Sequence, residues 1–288
     1  MISGRGVVPA CQSLDCVSVF ALTTPDAIAV FDAARAYDPT DPYSRTLEPV
    51  ARILRRRVSL RDPGPAGVLR RRARQDAPST NAVAQPARAS AGWLSKVDFA
   101  LFLETASLLY DGPWVAERMA AIRSFFERMQ TRSTRSCARS SAARRELLRH
   151  RSVPGHDALA RAAKGGRTAC GTPSDVLVVP TAPTAYKIDE VLADPFQTNR
   201  RLGHYTNFVN LLDLAAIAVP ASFRPDGLPV GITLIGPAGS DRMLADLAQR
   251  FHQRTGLQAR RSGRAICRRP RQSRRARTAS RWPWSARI

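Results

Sequence analysis

Apolar positions recur at helical spacing in several stretches of the chain. Thr24-Pro25-Asp26 supplies a capping residue and a proline for the first helical turn, and Asp111-Gly112-Pro113 separates two amphipathic stretches with a turn. A threonine start marks another stretch, and Ser240-Asp241 opens the last. The predicted helices cover residues 27–37, 97–110, 115–126, 206–218 and 240–252.

Continuous apolar runs predict the strands. DVLVVP at 175–180 and LPVGITLIG at 228–236 have the length and composition of strands that are buried on both faces. VSVFAL at 17–22 is a third apolar run, which fits either a strand or a loop. Helices that alternate with buried strands predict an α/β architecture.

Charge is distributed very unevenly along the 288 residues. The formal net charge is +22, and only three of the 45 basic residues are lysines. Residues 52–90 hold ten arginines and two aspartates, residues 128–169 hold ten arginines and two acidic residues, and residues 260–288 hold eleven arginines and no acid. The remainder is mildly acidic, as in an ordinary enzyme.

The arginine-rich stretches show neither a sustained helical nor a sustained strand period. Besides arginine they consist mostly of Ala, Pro, Gly and Ser, whose codons are GC-rich. Coding DNA that is read in the wrong frame explains this composition, and natural disordered basic linkers are the alternative. We favour the wrong frame, because a linker has no reason to interrupt a compact domain twice.

Several classes of protein are disfavoured by the sequence. Five irregularly spaced cysteines without a C-x-x-C pair predict neither a disulfide framework nor a zinc site. His150 and His156 have no carboxylate or thiol at ligand spacing, so no metal site is predicted. No apolar run is long enough to span a bilayer, and the start lacks the pattern of a secretory signal. We therefore expect a cytoplasmic protein without a membrane partner.

Candidate chemistry is sparse, because common nucleophile, phosphate-binding and metalloprotease motifs are absent from the sequence. The most informative segment is LLYDGPWVAER at 108–118. Its Tyr110 and Arg118 are hydrogen-bond donors suited to a small carboxylate or carbonyl ligand. A partly buried tyrosine and a solvated helix arginine are the alternative, and the spacing alone favours that alternative.

Several motifs together resemble the amidase signature family, and in particular its allophanate hydrolase branch. The resemblance covers residues 5–48, 97–127 and 174–256. It rests on GVVPACQSLDCVSVFALT at 6–23, DPTDPYSR at 38–45, LLYDGPWVAER at 108–118, DVLVVPTAPTAYKIDEVLADP at 175–195 and LGHYTNFVNLLDLAAIAVPASFRPDGLPVGITLIGPAGSD at 202–241. We expect a partial amidase domain over residues 1–258 and a basic, disordered tail over 259–288.

The resemblance implies a partial amidase-signature fold, in which irregular arginine-rich segments interrupt a mixed sheet flanked by helices. It also implies hydrolysis of the amide of allophanate to ammonia and carbon dioxide in urea degradation, without ATP or another cofactor. Family enzymes use a Ser–cis-Ser–Lys triad in a segment that precedes the first motif seen here. The chain begins after that segment, so we assign no catalytic residue and expect this chain alone to be inactive.

The same resemblance assigns substrate binding to two residues. Tyr110 and Arg118 match the family's tyrosine and arginine that contact the polar end of the substrate. Arginine can pair bidentately with a carboxylate, and tyrosine can donate to a carbonyl. The expected partner is therefore a small amide, namely allophanate. We also expect that the chain can form a homodimer and that the arginine-rich stretches can bind anions nonspecifically.

Two other interpretations stay open at this point. A basic nucleic-acid-binding protein would use the arginine-rich stretches for phosphate contacts. Residues 52–90, however, lack the interleaved aromatic side chains that stack on bases, and Trp282 and Trp284 come only at the end of the tail. A degraded gene product without a stable fold is the third interpretation, and its exposed strands would make it aggregate.

Overall fold

The computed structural model describes eight ranges of the chain: residues 1–47, 58–62, 92–128, 159–160, 175–224, 226–257, 260–261 and 264–265. They belong to two compact units, Met1–Leu257 and Gln258–Ile288. In the second unit, β6 (Arg260–Arg261) and β7 (Arg264–Ala265) form a short antiparallel pair. The candidate site is formed by elements of the first unit.

Helices and strands alternate through the first unit. The strands are β1 (Val58–Asp62), β2 (Gly92–Lys96), β3 (Asp175–Pro180), β4 (Leu214–Phe223) and β5 (Pro229–Pro237). The helices are α1 (Thr24–Ala34), α2 (Ala100–Asp111), α3 (Trp114–Arg128), α4 (Ile188–Ala193), α5 (Pro195–Leu202), α6 (Phe208–Leu211) and α7 (Asp241–Thr255). The prediction of an α/β fold is confirmed.

The strands form one mixed sheet in the order β2-β1-β3-β5-β4. Strand β1 pairs in parallel with both β2 and β3, whereas β5 pairs antiparallel with β3 and β4. The predicted mixed sheet flanked by helices is therefore present. Strand β4 lies at one edge of this sheet.

Strand β3 buries side chains on both faces, as its continuous apolar sequence predicts. Val176 and Val178 pack with β4, β5 and α7 in one core cluster. Leu177 and Val179 pack with α2 and α6 in a second cluster, which includes three phenylalanines. Because each apolar residue loses water contact on one face or the other, the whole run contributes to stability.

Local sequence explains where the terminal helices begin and end. Thr23 precedes α1, and its hydroxyl accepts a hydrogen bond from the backbone N–H of Asp26 at 3.2 Å. This helix ends at Ala34, three residues before the predicted end. Helix α7 continues past the predicted His252 to Thr255, where Gly256 takes a left-handed conformation with φ of 66°.

The prediction of one helix over residues 206–218 is wrong. Only Phe208–Leu211 are helical, and Leu214–Phe223 form the edge strand β4. Burial alternates along the middle of this strand, since Val219 and Ala221 are buried whereas Ala218 and Pro220 are exposed. The exposed positions are alanines and a proline, so the period of two does not appear in a simple division into apolar and polar residues.

The structure also describes residues 17–22 and part of the arginine-rich stretch 52–90. Residues 17–22 form a loop rather than a strand, which decides between the two alternatives. Within 52–90, where the sequence shows no sustained strand period, Val58–Asp62 form β1 between β2 and β3. Strand pairing uses backbone groups, so an arginine-rich segment can supply them. The rest of 52–90, residues 129–158 and 161–174, and 266–288 lie outside the described ranges.

Among the residues that the structure describes, no helix is long and apolar enough to cross a membrane.

Candidate functional site

A cleft of about 380 Å³ lies between an N-terminal loop and three helices. The loop comprises residues 10–15, α2 and α3 contribute one residue each, and the segment around α6 supplies most of the polar groups. The lining residues are Ala10, Cys11, Leu14, Asp15, Leu109, Arg118, Thr206, Asn207, Val209, Asn210 and Ala216. Its size is that of a pocket for a small molecule.

The loop 10–15 is closed by its own hydrogen bonds. The carboxylate of Asp15 accepts the backbone N–H groups of Ala10 and Cys11 at 2.8 and 3.0 Å. In return, the carbonyl of Cys11 accepts the N–H groups of Leu14 and Asp15, both at 2.8 Å. An aspartate that binds nearby backbone groups in this way is typical of a tight turn.

Two polar side chains attach this loop to neighbouring helices. The Glu117 carboxylate of α3 accepts the backbone N–H of Ser13 at 2.6 Å and its hydroxyl at 2.7 Å. From α6, the Asn210 side-chain amide donates to the carbonyl of Leu14 at 2.7 Å. The loop therefore has one position relative to both helices.

Arg118 lines the cleft from the beginning of α3. Its Nε donates to the carbonyl of Ala10 at 3.1 Å, and its Nη2 donates to the Cys11 thiol sulfur at 3.3 Å. The same sulfur lies 3.6 Å from the carbonyl of Trp114, to which the thiol donates. Burial raises the pKa of the Cys11 thiol, and the hydrogen bond and charge of Arg118 oppose this effect only in part.

Tyr110 lies outside the lining of the cleft. It is half-buried in the last turn of α2, and the guanidinium carbon of Arg200 lies 5.9 Å from the centre of its ring. The two predicted binding residues therefore belong to consecutive helices joined at Gly112-Pro113, not to one regular helix. The structure brings Arg118 to the cleft and places Tyr110 beside Arg200.

Sequence reasoning missed most of the polar groups in this cleft. Cys11 and Asp15 are more than 90 residues away from Arg118 along the chain. Asn207 and Asn210 were included in a predicted helix without a role. Their three-residue spacing within the apolar segment YTNFVNLLDL is a signal, since helical residues three apart share a face.

Within the described ranges, no group of three or more His, Cys, Asp or Glu side chains is arranged to hold a metal ion. His150 and His156 lie outside those ranges.

The family of the chain follows from comparison with known sequences. The family model described as Amidase matches residues 1–245, a match that includes the stretches 52–90 and 128–169. The chain therefore belongs to the amidase family. The predicted family resemblance is confirmed, and nothing in the comparisons supports the nucleic-acid-binding alternative.

Particular relatives narrow this assignment to the allophanate hydrolase branch. The chain is 36% identical over 267 residues to a urea amidolyase of Lachancea kluyveri, covering 87% of this chain and 14% of that protein. Kluyveromyces lactis urea amidolyase superimposes with a TM-score of 0.77 at 35% identity over 88% of this chain and 15% of that one. Kluyveromyces lactis allophanate hydrolase superimposes with a TM-score of 0.74 at 35% identity, covering 93% of this chain and 44% of that one.

These relatives show that the chain is, by descent, an allophanate hydrolase-like amidase. The chain spans about one seventh of the urea amidolyases and less than half of the allophanate hydrolase.

Proposed function

We propose that the cleft at Arg118 binds allophanate, the carboxylated amide after which the solved relative is named. The observation that carries this proposal is the position of Arg118. It belongs to the family-like motif LLYDGPWVAER and is, among the described residues, the one basic side chain of a small-molecule cleft whose other polar side chains include Asp15, Asn207 and Asn210. We also propose a role in urea degradation, because the relatives include urea amidolyases.

The chemistry of the cleft supports a ligand with one carboxylate and one amide. A guanidinium carries five N–H donors, and Arg118 uses one each toward Ala10 and Cys11 among the described residues. The remaining donors suit the two oxygens of a carboxylate. Asn207, Asn210 and Thr206 offer both donors and acceptors, as an amide group requires.

Tyr110 is the second proposed contact. Its assignment rests on the family motif, since the residue lies outside the cleft lining. A phenol that donates to the carbonyl of the ligand would have to approach the cleft from the end of α2. Tyr110→Phe removes the donor alone, so its effect on ligand binding tests this assignment separately from that of Arg118.

Hydrolysis needs groups other than these binding residues. In the family, the Ser–cis-Ser–Lys triad implied by the resemblance supplies the nucleophile, and binding groups without a nucleophile supply no covalent step. We propose that the residues of this cleft bind the substrate and that other residues supply the nucleophile. A cytoplasmic location, a homodimer and nonspecific anion binding by the arginine-rich stretches complete the proposal.

Binding is tested with malonamate, in which a methylene replaces the central N–H of allophanate, and with malonamide, which lacks the carboxylate. Calorimetry is expected to detect malonamate binding that Arg118→Ala weakens by about 10- to 100-fold, the value of a charge-assisted hydrogen bond. Arg123→Ala is the matched control, because Arg123 is an exposed arginine of the same helix.

Three outcomes would contradict the proposal. The wild-type chain does not bind malonamate, it binds malonamide equally well, or Arg118→Ala and Arg123→Ala have the same effect.

A further inference from the structure

We infer that Cys11 is a positioning residue, whose thiol holds the guanidinium of Arg118 in the orientation that binds a carboxylate. The inference rests on the proposed function of Arg118. It adds a specific role for a cysteine that lies 107 residues away from that arginine along the chain.

The contacts around the sulfur support this role. The Cys11 thiol lies between two groups of α3, since it donates to the carbonyl of Trp114 and accepts from Nη2 of Arg118. These residues are four apart and share one face of the helix. The thiol therefore connects the carbonyl of Trp114, in the first turn of α3, with the guanidinium of Arg118.

A second contact fixes the plane of the guanidinium. Nε of Arg118 donates to the carbonyl of Ala10, while Nη2 donates to the next residue of the loop. Two hydrogen bonds from different nitrogens restrict rotation of the planar group, whereas one bond would allow it. Since an arginine side chain loses considerable rotamer freedom when it binds a ligand, prior restriction improves the affinity.

The loop that carries Cys11 is itself rigid, which makes it a suitable anchor. Asp15 binds its backbone from within, and Glu117 and Asn210 attach it to α3 and α6. Only 3% of the Cys11 surface is exposed, so water competes little for the thiol. The raised pKa keeps the thiol protonated near neutral pH, and the S–H group remains a donor to Trp114.

Serine retains the donor and the acceptor, whereas alanine removes both, so the pair of variants separates positioning from packing. We expect Cys11→Ala to weaken malonamate binding by about 10-fold and to leave malonamide binding nearly unchanged. Cys11→Ser should restore malonamate affinity to within about 3-fold of the wild type. Cys16→Ala is the matched control, because Cys16 is an exposed cysteine outside the cleft.

A measurement without ligand tests the positioning directly. The Nε–H of Arg118, observed by NMR, should exchange with solvent slowly in the wild type, Cys11→Ser and Cys16→Ala, and markedly faster in Cys11→Ala. Equal exchange in all four proteins would overturn the inference, whatever the chain binds. Equal loss of malonamate and malonamide affinity in Cys11→Ala would also overturn it, since that result indicates a general structural defect.

The two proposals fail in different ways. If the wild type binds no malonamate, the proposed function fails and the positioning role for that ligand fails with it. If Arg118→Ala loses binding and Cys11→Ala retains it fully, only the positioning role is wrong.

Discussion

Individual aromatic residues stabilise the face of the sheet that adjoins the cleft. The ring of Phe102 lies 5.3 Å from that of Phe99 and 4.7 Å from that of Phe208, measured between centroids. These rings connect α2 with α6, and each of these helices contributes residues to the cleft lining. The shape of the cleft therefore depends on this cluster.

Truncation of Phe102 tests the importance of the cluster. The side chain is 0% exposed, so Phe102→Ala should lower the free energy of unfolding by about 3–5 kcal/mol through lost burial and a residual cavity. Phe125→Ala is the control, because Phe125 is 60% exposed and should change stability by less than about 0.5 kcal/mol. Equal effects in chemical denaturation would contradict this packing.

A second prediction at the residue scale concerns pH. The side-chain and backbone groups of Thr40 and the Ser3 hydroxyl donate to the Asp38 carboxylate, which lowers its pKa from 3.8 to about 2. Because the folded state favours the charged carboxylate, the stabilisation is complete above pH 3.8 and is lost as the pH falls through about 2. NMR titration of the Asp38 carboxyl carbon measures this directly, and a midpoint near 3.8 would contradict the prediction.

The proposed role of Arg118 comes from a sequence motif, whereas its hydrogen-bond partners could not be predicted from the sequence. A motif of neighbouring residues identifies Arg118 by its family resemblance. Its partners Ala10 and Cys11 come from a loop more than 100 residues earlier, and their contacts arise only when the loop packs on α3. Sequence patterns describe neighbours along the chain, so such distant hydrogen bonds leave no local signal.

Among the elements, the strands with continuous apolar sequences were predicted, whereas the strands without them were not. Strands β3 and β5 are flanked on both sides in the sheet and have continuous apolar sequences. Edge strand β4 contains several alanines, which favour helices, and its Pro220 is tolerated because an edge strand leaves one side unpaired. Tertiary position therefore overrides the local preference in β4, and β1 is formed by a sequence with no clear preference.

The junction of α2 and α3 gives the prediction at this scale. A Cβ at Gly112 would overlap the backbone carbonyl oxygen of Leu108, so Gly112→Ala must displace the end of α2. We expect a loss of about 1–3 kcal/mol in unfolding free energy, which is typical of overpacking. Gly4→Ala is the control, since a Cβ there meets nothing within 4 Å. Similar stabilities of both variants would contradict the geometry of this junction.

In the whole molecule, the family match determines whether the arginine-rich stretches lie inside the family domain. The match to residues 1–245 includes 52–90 and 128–169, and β1 occupies an interior position of the sheet. These stretches therefore lie inside the family domain. Their origin in a shifted frame stays a prediction, as do the predicted domain limits.

Sequencing the gene and translating its three frames tests that origin. We expect another frame to restore ordinary α/β sequence across 52–90 and 128–169, because the present composition of these stretches is that of GC-rich codons. If no other frame encodes ordinary α/β sequence across these stretches, the result would instead favour natural basic linkers. A matched comparison is the segment 174–256, for which the present frame should be the family-like one throughout.

In the proposed function, the cleft recognises a carboxylated amide through Arg118. A crystal structure of the wild-type chain soaked with malonamate tests it most directly. We expect the carboxylate within hydrogen-bond distance of the Arg118 guanidinium and the amide toward Asn207 and Asn210. Malonamate bound with its carboxylate away from Arg118, or no malonamate in the cleft at concentrations that saturate binding in solution, would contradict it.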